Sequence, residues 1–244
     1  MFIDLTAPDQ VKQLRRAGLR PGERLVQHIL RAGKAAVAPL LDLALETDLL
    51  HDDLPECFAP LHALRLLGEL RPPEMLAPLL DALPLELYYA EEELPETWAS
   101  EVPQIIGRLG ADVVEPLWGR ADDASRAMAQ RGAALLALTY VTAIDPTTHD
   151  PIVSGLRERL EHSDDKTFSA HLVVALANIG IPELYKDVMA LYREGRIDQE
   201  VIPAGVARQL LLSDGENRLA CARHPLWERY DQHGPFPDEY EYEA

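Results

Sequence analysis

Three proline-bearing stretches, "AVAPLL" with Pro39, "MLAPLL" with Pro78 and "VVEPLW" with Pro116, recur at spacings of 39 and 38 residues. A period of this size constrains the chain more than any single motif does. A unit that cannot bury its own apolar face must stack on copies of itself. After each proline segment comes an apolar helix pattern closing on a small or glycine residue: "ALRLLGEL" to Leu70, "VPQIIGRLG" with Leu109, "LLALTYVTAI" to Ile144 and "LVVALANIG" with Ile179. These end anchors advance by 39, 35 and 35 residues. Three residues before each anchor stand Leu67, Ile106, Val141 and Leu176, and seven before stand Ala63, Val102, Ala137 and Leu172. Offsets of three, seven and eleven share one helical face, so four amphipathic helices carry their stripes in register. The unit is helix, turn, helix, and no strand-period alternation competes with it.

The same slot between paired helices holds "HDDLPECF" from His51 and, forty residues on, "EEELPETW" from Glu91. In both, acids precede Leu-Pro-Glu. That pattern predicts a helix entry, with Pro55 or Pro95 where a missing N–H is harmless and Glu56 or Glu96 facing the positive helix end. Glu91 stands where His51 does, which removes the periodic argument for a metal site at His51, Asp52 and Asp53. The sequence offers no cysteine or histidine ligand framework, no G-x-S-x-G, no P-loop and no H-E-x-x-H, so no cofactor, metal or catalytic residue is assigned.

The residues "APLLDLAL", "APLLDALP", "ALRLLGEL" and "ALANIG" resemble the HEAT-repeat family, including HEAT-like repeats of the phycobilisome-lyase type, over residues 22–213. The resemblance is divergent: eleven and ten before the anchors, where the family often has Val then Arg, stand Ala59/Pro60, Trp98/Ala99, Ala133/Ala134 and Phe168/Ser169. It implies an all-α, right-handed α-α superhelix, a solenoid of about five helix pairs. Residues 1–21, with Leu14, Lys12, Arg15 and Arg16, are expected to form a helical N-cap, and residues 214–244 a C-terminal cap with an acidic tail, mobile unless Phe236, Tyr240 or Tyr242 docks.

In such folds the second helices line the concave face, and residues flanking the core stripe there become candidates for binding a partner. They are His62, Arg65, Trp98, Glu101, Arg108, Tyr140, His171 and Asn178. The competing reading makes His62 and His171 half-buried residues satisfying their neighbours. A second candidate surface is the acidic arm with Tyr88 and Tyr89 before Glu91, Glu92 and Glu93, where tyrosines would anchor and acids would attract a basic protein.

A formal charge of −18 speaks against nucleic acid or anionic membrane as partners. Residues 1–34 are nonetheless basic, with seven Lys or Arg against three acids, which leaves room for self-assembly of the basic end on the acidic body. Only Cys57 and Cys221 are present and apolar runs are short, which predicts a reduced, cytoplasmic chain. The expected function is non-enzymatic: a scaffold or adaptor binding another protein. The alternative class is an enzyme or accessory factor at the concave groove, since HEAT-like relatives include chromophore lyases and DNA glycosylases. Trp98, Tyr140 and Glu101 would serve the latter, against the acidic charge.

Overall fold

The computed structural model describes residues 5–85 and 93–240. Among them the regular structure is entirely helical. Contacts group the chain into two compact units, residues 1–106 with 224–244, and residues 107–223.

Unit 1 begins with α1 (Ala7–Lys12), capped by the Thr6 hydroxyl, which accepts from the Asp9 N–H. A 3-10 turn follows and buries Leu14 completely. Helices α2 (Glu23–Ala32), α3 (Lys34–Ala44) and α4 (Ala59–Leu70) pack on one another, with α1 lying on α2 and α3. Pro39 lies inside α3, at its sixth residue, and so removes one helical hydrogen bond. In α5 (Leu76–Asp81) Pro78 is the third residue, within the turn whose N–H groups have no intrahelical acceptor in any case. Helix α6 (Glu93–Gly107) starts with Glu93 and Leu94 before Pro95, so the second "LPE" opens a helix as its spacing predicts. The first does so in two steps: Glu56–Phe58 form a 3-10 turn after Pro55, and α4 follows directly. Every residue of α4 from Ala59 to Gly68 is buried. A Cβ on Gly68 would stand 2.5 Å from the Ile105 side chain, so α4 and α6 approach as closely as a glycine permits.

Unit 2 contains α7 (Val114–Asp122), α8 (Met128–Ile144), α9 (His149–His162), α10 (Lys166–Ile179), α11 (Tyr185–Arg193), α12 (Ala204–Leu212) and α13 (Gly215–Leu219). Successive helices pair, α7 on α8, α9 on α10 and α11 on α12. The even-numbered members also pack on each other, α8 on α10 and α10 on α12. Asp165 caps α10 by accepting from the Thr167 and Phe168 N–H groups at 2.9 and 3.0 Å. The helix ends on Gly180 at φ +78°, the left-handed conformation glycine adopts without strain. Its carbonyl side is met backbone to backbone, because a Cβ on Gly215 would lie 1.6 Å from the Ile179 carbonyl oxygen.

Three of the four anchors, Leu70, Ile144 and Ile179, are the last residues of α4, α8 and α10; the fourth, Leu109, lies two residues past the end of α6. Leu67, Ile106, Val141 and Leu176, with Ala63, Val102, Ala137 and Leu172, are all fully buried. The stripe read from spacing is the core face of these helices.

The chain then returns to unit 1 through α14 (Leu226–His233) and α15 (Pro237–Tyr240). Helix α14 packs on α4, and the Tyr240 ring meets Phe58 edge-on at 5.0 Å.

Candidate functional site

Two features of unit 1 carry most of its chemistry: a buried polar core and an acidic cleft. In the core, α4 presents His62 and Arg65 three residues apart, one turn along the same face, while α6 presents Glu101. Arg65 grips the Glu101 carboxylate from Nε, 3.1 Å from both oxygens, and from Nη2 at 2.5 Å. Its Nη1 donates to the Gly234 carbonyl at 2.6 Å and Nη2 also reaches the His233 carbonyl, so the guanidinium caps the C-terminal end of α14. Arg229, fully buried, donates to Gln104 Oε1 at 3.2 Å and lies 3.8 Å from Glu101. Tyr230 completes the set, with its ring 4.5 Å from the Arg65 guanidinium carbon. Burial works against the charge on Arg65, but Glu101 more than offsets it and holds the guanidinium protonated above its ordinary range.

His62 is enclosed. Its Nε2 lies 2.7 Å from the Gly18 carbonyl and its Nδ1 2.6 Å from the Tyr230 hydroxyl. Burial first, and Arg65 beside it, push its pKa down to about 4, so it is neutral at pH 7.

The cleft lies at the other end of α4's entry segment, with a volume of about 620 Å³. Asp52, Asp53 and Glu93 supply carboxylates, Leu54 and Leu94 apolar wall, and Tyr240 a ring at its edge. Burial first, then repulsion from Glu239 and a hydrogen bond with it, raise the Glu93 pKa. Among the described residues no group of three or more His, Cys, Asp or Glu side chains could hold a metal ion. No described helix is long and apolar enough to cross a membrane.

The residues expected to line a binding face fall into three groups. His62, Arg65 and Glu101 come together, but inside unit 1, covered by α14; Trp98 on α6 is likewise fully buried. In unit 2, Arg108 is buried and donates to the Ala222 carbonyl at 3.4 Å, and Asn178 donates to the Thr139 hydroxyl at 2.8 Å. The half-buried Tyr140 has its Cβ against Gly107. His171 packs its ring against Gly132, and burial, with Arg131 adding, lowers its pKa. Tyr88, Tyr89, Glu91 and Glu92 lie outside the described residues, whereas Glu93 lines the cleft.

Sequence reasoning missed Tyr230 and the Gly234 carbonyl as partners of α4 and Arg229 as a partner of α6. The available signal was Leu226 and Tyr230, four residues apart and both buried. Comparison with protein-family models, with curated proteins and with solved structures found no match.

Proposed function

We propose that this chain is a non-enzymatic scaffold of stacked HEAT-like helix pairs, a solenoid, whose acidic cleft in unit 1 takes a basic, partly apolar segment of another protein. Support for the stacking comes from the 35-residue register of α8 and α10 and from the way the even-numbered helices pack in series. The binding reading is carried by the make-up of the cleft: Asp52, Asp53 and Glu93 beside Leu54, Leu94 and Tyr240. Carboxylates next to apolar wall suit a lysine or arginine whose methylene stem rests on leucine while its head meets the acids. The polar positions on α4 and α6 are engaged by the chain's own α14, which favours the cleft over that face.

The test is fluorescence anisotropy with labelled eight-residue peptides alternating arginine with leucine, serine with leucine, and glutamate with leucine. The arginine peptide is expected to bind most tightly, to weaken with salt, and to lose about tenfold in affinity to Asp52→Asn, Asp53→Asn, Glu93→Gln, from exposed pairs worth some 0.2–1 kcal/mol each. Equal binding of the three peptides, or unchanged affinity in the triple variant, refutes the reading.

A further inference from the structure

His62 joins three parts of unit 1. The Gly18 carbonyl can only accept, so the proton of the neutral ring sits on Nε2, and Nδ1 accepts from the Tyr230 hydroxyl. One uncharged imidazole thereby ties the segment before α2, helix α4 and helix α14 together. Around it, among the described residues, stand two buried guanidiniums, Arg65 and Arg229, and the buried carboxylate of Glu101. The half-buried His233 ring stacks on His224 at 5.9 Å, while Arg20–Asp231 at 2.7 Å and His224–Glu228 at 3.7 Å lie at the margin. Burial lowers the His233 pKa; Glu101 opposes this, and Arg229, Arg65 and His224 reinforce it. A proton on His62 would place a third cation beside Arg65 and take away the acceptor that receives the Tyr230 hydroxyl.

We infer that α14 and α15 form an acid-labile latch: protonation of His62 releases them from α4 and with them the Tyr240 edge of the acidic cleft. That the latch governs partner binding rests on the function proposed above; the release itself does not.

With the latch released and the ring in water, His62 titrates toward its ordinary 6.5, the limit set by full release; with it docked, at about 4. The docked state therefore binds fewer protons between these values. Docking is complete in strength above 6.5 and is lost as pH falls through the window, by up to about 30-fold at pH 5.

Hydrogen exchange of the full chain, read by mass spectrometry at pH 7.5 and pH 5.0 and corrected for intrinsic exchange, measures this directly. Protection across residues 224–240 is expected to fall severalfold, up to about 30-fold, at pH 5.0 while α7 and α12, which carry no histidine, keep theirs. In His62→Gln the amide N–H still donates to Gly18 and its oxygen accepts from Tyr230, so the step is expected to vanish. Unchanged protection of 224–240 in the native chain overturns the latch, as does an equal loss in α7 and α12. A His62→Gln variant that keeps the whole step assigns the acid response elsewhere and overturns it too. The experiment contains no peptide, so its failure leaves the cleft reading standing, and failure of peptide binding leaves the latch standing.

Discussion

Replacing Glu101 by glutamine removes the one carboxylate that two buried guanidiniums share while keeping its size. Arg65 and Glu101 are 0% and 2% exposed and make three hydrogen-bond contacts between them, and Arg229 lies 3.8 Å from the same carboxylate. An exposed pair would be worth under about 1 kcal/mol. Breaking a buried one strands charge in a low dielectric and costs about 3–5 kcal/mol. Against the 5–15 kcal/mol by which domains are typically stable, this is a large share. Tryptophan fluorescence in a Trp118→Phe background confines the signal to unit 1, since the remaining indoles, Trp98 and Trp227, both belong to it. The urea midpoint of that transition is expected to drop by roughly 1.5–2.5 M for an m of about 2 kcal/mol/M. Because both residues act on one contact, the Arg65→Met, Glu101→Gln double variant is expected to lose less than the two single losses added together. A loss under about 1 kcal/mol in Glu101→Gln, or strict additivity in the cycle, refutes the claim that this pair is a desolvated tie between α4, α6 and α14.

Two further outcomes concern unit 2. Asp165→Ala removes the acceptor for two N–H groups at the start of α10 and is expected to cost about 1 kcal/mol in urea unfolding, with Asp165→Asn close to native. Gly215→Ala, whose Cβ would lie 1.6 Å from a backbone oxygen, is expected to cost about 3 kcal/mol or more, whereas Gly205→Ala, with nothing within 4 Å, is expected to be neutral or to gain some tenths of a kcal/mol by thermal melting.

Residue spacing alone establishes the helical class and the inward face of α4, α6, α8 and α10. A stripe at offsets of three and seven is a local property of a 3.6-residue helix, so burial of Leu67, Ile106, Val141 and Leu176 could be read without knowing what they pack against. Local spacing likewise marks the helix entries at the two "LPE" segments, because an entry is set within its own first turn. Which groups meet across long separations follows only from the way the helices pack. Gly18, His62, Arg65, Glu101, Arg229 and Gly234 span more than two hundred residues of chain, and no periodicity predicts that the segment after residue 223 returns to unit 1 and covers α4. The same polar residues on α4 and α6 would serve a partner if exposed and hold the chain's own helix when buried. Residue type is identical in the two cases, and only the fold determines which groups replace water around them.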